Sequence, residues 1–291
     1  MARTKEEEFI YEEVRKYEGI GVPVKAGFLE RLLVKKVACK KLHPNPDDEF
    51  SIPSVGPSFS IVSNYEESFR RNSVQLEPLT VEKMHPDGYM LLNGHHRWLA
   101  AIRCGIKSFP VEIVNPTTVD DIRKMLASSD HHKRVTLDLD EVVFSTDDQD
   151  ALEKKPGFPY SMIYKERIKL GIPALFHYCN TKGYDIWVYS ANFYSPDYIQ
   201  SFFRRYNSRV DGVITGTAKK MGKDSAKKKE IESMVSKKYN ETIHIDKDML
   251  IRTDSLTKEF DEYPLSGASA DWSKEVMKIM DGFNEQNSRQ K

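Results

Sequence analysis

Val135-Thr136-Leu137-Asp138-Leu139-Asp140-Glu141-Val142 reads as a short apolar strand that runs out onto two acids. From there to its end the chain alternates strand with helix. Tyr184–Tyr189 is the next strand, and Ser195-Pro196 opens a helix with an N-cap residue followed by a first-turn proline. Ile199, Phe202, Phe203 and Tyr206 give that helix a buried stripe. Val213–Thr215 is a third strand, residues 224–239 a helix, Thr242–Ile245 a fourth strand and Met249–Arg252 a fifth. Trp272, Val276, Ile279, Met280 and Phe283 share one face of a last helix. Such alternation predicts an α/β domain over residues 133–291, with a parallel sheet covered by helices.

In a parallel sheet, ligands bind at the carboxyl ends of the strands. A lone Asp-x-Asp is usually a turn or a helix cap. Here Ser190 ends the second strand and Asp246 the fourth, with Asp248 two residues on. Three strand ends thus deliver acids and a hydroxyl to one edge of one sheet. One carboxylate can attack phosphorus while another protonates the leaving oxygen. The seryl hydroxyl and the amides after it can bind a phosphate oxygen. Asp138, Asp140 and Asp246 form an oxygen-rich set suited to Mg²⁺.

Four segments in order, Leu137-Asp138-Leu139-Asp140-Glu141-Val142, Val188-Tyr189-Ser190, a lysine, and Ile245-Asp246-Lys247-Asp248, make residues 133–282 resemble the haloacid dehalogenase-like (HAD) phosphohydrolases. The resemblance implies a Rossmann-like fold and a Mg²⁺-dependent phosphomonoesterase. Asp138 would be the nucleophile that becomes an aspartyl-phosphate, Asp140 the general acid/base, and Ser190 the phosphoryl ligand. Asp246 would complete the metal site. Lysine is abundant where the third motif belongs: residues 219–229 hold six in eleven positions, with Lys223 the choice by spacing and Lys227 the reserve. Lys247 separates Asp246 from Asp248 where the family often has adjacent acids, leaving open which of the two meets the metal. The gaps between motifs hold no large cap domain, so the substrate is a macromolecule or the first domain supplies the lid. The segment Phe158-Pro-Tyr-Ser-Met-Ile-Tyr164 is either a small lid or core.

The N-terminal half turns on Tyr89-Met-Leu-Leu-Asn93-Gly94-His95-His96-Arg97, a strand, a tight turn and a helix that stops at Gly105. A helix N-terminus offers N–H groups and a positive dipole end, and with His95, His96 and Arg97 it makes a candidate phosphate cradle. Together with Leu42-His-Pro-Asn-Pro46 and Leu76-Glu-Pro-Leu-Thr-Val81, this makes residues 34–114 resemble the ParB/sulfiredoxin-like superfamily. Sulfiredoxins carry a catalytic cysteine where this chain has His95, and ParB proteins carry a Gly-Glu-Arg-Arg turn. The Gly-His-His-Arg form is similar to that of the ADP-dependent free serine kinases. That likeness implies a small α+β domain binding ATP, ADP or CTP at Gly94–Arg97. It also implies an acid acting as base within Pro46-Asp47-Asp48-Glu49, for which Glu49 is chosen.

Residues 1–20 are expected to be an N-terminal helix, 21–116 the nucleotide- or phosphate-binding domain, and 117–132 a linker helix. Lys+Arg and Asp+Glu are both 44 in 291 residues, so no global field recruits nucleic acid or anionic lipid. No apolar run nears the roughly 20 residues that span a bilayer, and the charged start lacks the apolar core of a signal peptide. Cys39, Cys104 and Cys179 lie far apart and read as free thiols in a cytoplasmic protein. The leading expectation is a two-domain enzyme of phosphate chemistry acting on a phosphorylated small molecule or macromolecule. The alternatives are a nucleotide-dependent kinase of a small hydroxyl compound and a nucleotide-sensing regulator that binds a partner or nucleic acid.

Overall fold

The computed structural model describes residues 5–16, 21–52, 54–71, 76–145, 151–216, 225–255, 257, 260–266 and 271–289. The chain divides into two compact units, Met1–Pro116 and Thr117–Lys291.

In the first unit, α1 (Lys5–Arg15), β1 (Val22–Pro23) and α2 (Phe28–Leu32) lead into β2 (Lys35–Ala38) and β3 (Leu42–Pro44). Then come α3 (Phe59–Arg70), β4 (Leu79–His85), β5 (Tyr89–Asn93), α4 (His95–Arg103) and β6 (Ser108–Ile113). The sheet runs β2-β6-β4-β5-β3, with β1 paired to β4. Strands β4 and β5 form an antiparallel hairpin, closed by Met84 N–H donating to the Gly88 carbonyl at 3.0 Å. Alternation along β4 buries Leu79 and Val81. Trp98, Leu99, Ala100 and Ala101, consecutive and so spread around most of α4, are all buried in the same core. Phe9 of α1 stacks on Trp98 with ring centroids 6.1 Å apart.

The second unit begins with α5 (Val119–Ala127) and β7 (Lys133–Asp138), followed by a single π turn at Leu139–Val143. It continues with α6 (Tyr160–Ile163), α7 (Ile172–Thr181), β8 (Tyr184–Ser190), α8 (Pro196–Arg204) and β9 (Gly212–Thr215). Last come α9 (Ser225–Lys238), β10 (Glu241–Ile245), β11 (Met249–Asp254), β12 (Phe260–Pro264) and α10 (Trp272–Arg289). The sheet order is β12-β11-β10-β7-β8-β9. Strands β10, β7, β8 and β9 are parallel. Strands β11 and β12 are antiparallel additions, so the expected fifth strand exists but with reversed direction. Asp246-Lys247-Asp248 is the whole connection between β10 and β11, far too short for the crossover that a parallel pair needs.

One sheet face packs Val135, Leu137, Ile186, Val188, Ile243 and Ile245 with Phe176, Phe202, Val276 and Met280 of the helices. The other packs Trp187 and Ile214 with Ile122, Leu126, Val235 and Tyr239. The helix expected as a linker is therefore part of the second unit. Thr118 caps α5 through the Asp121 N–H, and the Thr117 hydroxyl donates to the Val213 carbonyl at 3.0 Å. Among the described residues, no helix is long and apolar enough to cross a membrane.

The three cysteines differ sharply in access. Cys179 is fully buried, which pushes its thiol up to about 12, and burial likewise raises Cys39; Cys104 is half-exposed. Only the thiolate reacts. A thiol reagent at pH 8 is therefore expected to modify Cys104 first, and Cys39 and Cys179 only after denaturation. Rapid modification of all three thiols in the native protein would contradict this packing.

Candidate functional site

The register of the parallel strands builds the acid cluster of the second unit. Leu137 pairs with Ile245, so Asp138 and Asp246 are the next residues along on adjacent strands. Asp138 pairs with Tyr189, so Ser190 is the next residue along on the third strand. The π turn then folds the chain back over the strand ends. Asp138 Oδ1 caps it, accepting from the N–H groups of Asp140 at 2.7 Å and Glu141 at 2.9 Å. Asp138 is half-buried, and its second oxygen has no hydrogen bond among the described residues.

Asp140 swings across to β8. Its Oδ2 accepts from the Ser190 hydroxyl at 2.7 Å and the Ala191 N–H at 2.9 Å; its Oδ1 accepts from Asn192 Nδ2 at 3.0 Å. Ser190 is completely buried, and its hydroxyl serves Asp140 where the sequence reading had it serving a phosphate. Asn192 escaped that reading. Its position two residues beyond Ser190 was the available signal, since chain leaving a strand end can turn back onto the same carboxylate. Asp246 is half-buried and accepts from the Lys247 N–H at 2.7 Å. Asp248 is exposed, and it lies in the tight connection to β11 rather than at a strand end. Lys223 lies outside the described residues, and Lys227 falls in the first turn of α9.

Among the described residues, no three His, Cys, Asp or Glu side chains converge as a metal cage. Mg²⁺ does not need one: it keeps several waters and takes one or two carboxylates plus substrate phosphate. The hard oxygens of Asp138 and Asp246, at neighbouring strand ends, fit that pattern. The segment Phe158–Tyr164 is core rather than lid along part of its length. Tyr164 packs on Tyr198 and Phe202 with centroids 5.1 Å apart in both cases, and Arg205 lies 3.7 Å over the Tyr160 ring.

In the first unit, Gly94 is the N-cap of α4 with φ +93°, in the left-handed region. A Cβ there would meet Leu79 Cδ2 at 2.5 Å, so both the turn and the approach of the backbone demand glycine. The first intrahelical bond is Trp98 N–H to the Gly94 carbonyl. The N–H groups of His95, His96 and Arg97 precede it in the first turn.

The imidazoles are not arranged as a cradle. His95 is buried and accepts the Asn45 N–H at Nε2, 3.2 Å away; His96 accepts the Ser58 N–H at Nε2, 3.1 Å away. Both rings pack on Phe50, at 5.3 and 5.2 Å between centroids. The two histidines thus tie the 45–58 segment to the helix start. Arg97 donates to the Glu77 carbonyl at 3.0 Å and to its carboxylate at 3.2 Å. Glu77 is 80% exposed, so that ion pair is weak and Arg97 can be drawn to another anion. Of the three acids at 47–49, Asp48 lies 3.7 Å from His95 Nδ1 and also caps the Phe50 N–H. Glu49, chosen from the sequence, is exposed. Three adjacent acids could not be ranked by type, because only the path of the short helical turn 49–51 decides which one faces α4.

The comparisons with known proteins bear on this unit. Residues 32–129 match the ParB N-terminal domain. That stretch covers the ParB-like unit from the end of α2 onward and continues through α5, which packs in the second unit. No curated protein matches the chain. Among solved structures, the C-terminally truncated chromosome-partitioning protein ParB from Caulobacter crescentus, complexed with CTP-gamma-S, is similar at 23% identity, with a TM-score of 0.25. The likeness covers 34% of this chain and 56% of that one.

The Gly94 turn supports a direct test. Gly94→Ala is expected to destabilise the ParB-like unit by about 2 kcal/mol or more, from left-handed strain plus overpacking against Leu79. Urea unfolding followed by hydrogen exchange at the β5 and α4 amides checks it, and an unchanged midpoint would mean the turn is not built this way.

Proposed function

We propose that the C-terminal unit is a Mg²⁺-dependent phosphomonoesterase of the HAD kind, acting through Asp138, and that the ParB-like unit binds a nucleotide at Gly94–Arg97. The observation that carries the first part is the in-register placement of Asp138 and Asp246, with Asp140 folded onto Ser190. Bound between Asp138 and Asp246, Mg²⁺ would offset the charge of the phosphate.

Each acid has its own part in the chemistry. The capping bonds to Oδ1 orient the Asp138 carboxylate and leave Oδ2 to attack phosphorus. As the bond from Asp138 Oδ2 to phosphorus forms, the ester P–O bond breaks and the leaving oxygen takes a proton from Asp140. Asp140 then removes a proton from water as the water oxygen attacks the aspartyl-phosphate. Inorganic phosphate departs and Asp138 is restored. To reach the leaving oxygen, Asp140 must exchange at least one of the donors it holds in this structure, Ser190, Ala191 or Asn192. The substrate is a phosphomonoester, either a small molecule or the phosphorylated end of a macromolecule.

The test is phosphate release from a panel of phosphomonoesters with Mg²⁺, native chain against Asp138→Asn. That change keeps the side-chain shape and removes the nucleophilic charge. Loss of about 10⁴-fold in kcat is expected, in line with removal of a catalytic nucleophile. Native turnover that survives the substitution would overturn the assignment of Asp138.

For the ParB-like unit, the supports are the family match and the helix start at Gly94 with Arg97 beside it. Titration calorimetry with CTP, ATP and ADP is expected to show binding of one of them, weakened about tenfold or more in Arg97→Ala, the cost of a charge-assisted contact to phosphate. No heat with any of the three would overturn nucleotide binding. The match also favours a second reading, a nucleotide-sensing regulator with a macromolecular partner. It differs from the first in that its output survives Asp138→Asn. A serine-kinase-like role has less support, because Glu49 is exposed and Asp48 is committed to the Phe50 cap.

A further inference from the structure

The sheet face that carries Asp138 holds one more group that the proposed reaction leaves unused. By register, Arg134 and Thr136 of β7 lie beside Thr242 and His244 of β10, in line with Asp138 and Asp246. Arg134 is committed: it donates to the Tyr189 hydroxyl at 2.8 Å and to Thr242 Oγ1 at 3.1 Å. Thr136 is buried, with its hydroxyl 2.9 Å from His244 Nδ1 and 3.5 Å from the Ile243 carbonyl. The hydroxyl has one proton. Whichever atom carries the proton of the 2.9 Å contact, the ring is anchored at Nδ1, and Nε2 has no hydrogen bond among the described residues.

His244 is exposed, unlike the histidines of the ParB-like unit's core. Thr253 and Phe260, on the same face of β11 and β12, are exposed as well. Helices α5 and α9 pack instead over Trp187 and Ile214 of β8 and β9. An imidazole anchored at one nitrogen therefore stands on the open part of the face, two residues before Asp246. At roughly 3.3 Å per residue its Cα is about 7 Å from that of Asp246. That is the reach of a leaving group a few atoms beyond the ester oxygen.

We propose that His244 is a specificity-determining contact of the Asp138 site. Its Nε2 hydrogen-bonds a hydroxyl of the leaving group, which can donate or accept, so the site favours phosphorylated polyols, of glycerol or sugar type, over plain aryl phosphates. The inference rests on the phosphomonoesterase reading.

The experiment measures kcat and KM of the full chain with Mg²⁺ for glycerol phosphate and phenyl phosphate, in the native protein, His244→Ala, His244→Gln and Thr136→Val. The selectivity for glycerol phosphate, as a ratio of kcat/KM values, is expected to fall about five- to tenfold in His244→Ala, the value of one hydrogen bond. The loss should sit in KM. His244→Gln, whose amide can donate or accept a hydrogen bond, should recover part of it, and Thr136→Val should lose part of it by freeing the ring. An unchanged ratio in His244→Ala, with native turnover intact, overturns the role of His244 and leaves the phosphomonoesterase standing. Absence of Mg²⁺-dependent turnover by the native chain on both esters overturns the phosphomonoesterase reading, and this inference with it.

Discussion

The pairing of β7 with β10 on one side and β8 on the other is the constraint on which the acid site depends. Parallel strands in register end together, so residues far apart in sequence arrive side by side once Leu137 sits opposite Ile245 and Val188. A shift of one residue would send Asp138 and Asp246 to opposite faces of the sheet, because side chains alternate with a period of two. The buried apolar residues of one face, Val135, Leu137, Ile243 and Ile245, penalise such a slip, since it would bring them out of the core. The hydrophobic core therefore sets the spacing of the carboxylates without touching them.

The π turn adds the second level of control. It takes Asp140 out of the strand direction and lays it against Ser190 and Asn192 on the neighbouring strand end. Two aspartates separated by one residue thereby acquire different surroundings. Asp138 keeps one oxygen without a bonding partner among the described residues, whereas both oxygens of Asp140 are held by donors. Different surroundings are what allow two like groups to take different roles. In the ParB-like unit a comparable economy appears at Gly94, where a left-handed residue turns the chain from β5 into α4 and holds Leu79 close. The histidines after it secure the 45–58 segment by accepting its N–H groups, so they shape the site from behind rather than lining it.

Much of this was legible in the residues because it rests on local patterns. Apolar strands, the Ser195-Pro196 helix start and the buried stripe of α8 depend on side-chain periodicity, which the chain displays directly. The acids at strand ends were legible for the same reason: a polar residue after an apolar run marks where the strand leaves the core. The division between units at Pro116 coincides with a break in pattern at Asn115-Pro116. What failed to show was partnership across the chain. Asp48 and Glu49 are chemically alike, and nothing near them says which faces His95. Asn192 reaches Asp140 from two residues beyond the strand end, and the helix at 119–127 reads as a connector although Ile122 and Leu126 pack against Trp187 and Ile214.

The sequence by itself determined the alternating α/β order of the second unit, the ParB-like character of residues 34–114 and the identity of the strand-end acids. Each of these depends on what a residue is and on its near neighbours. Only the tertiary structure decided the antiparallel direction of β11 and β12, the engagement of Ser190 with Asp140, the structural use of His95 and His96, and the exposure of His244. Those depend on hydrogen-bond partners brought from other strands and turns, and a donor's choice among acceptors is settled by distance and burial, which exist only in the folded chain.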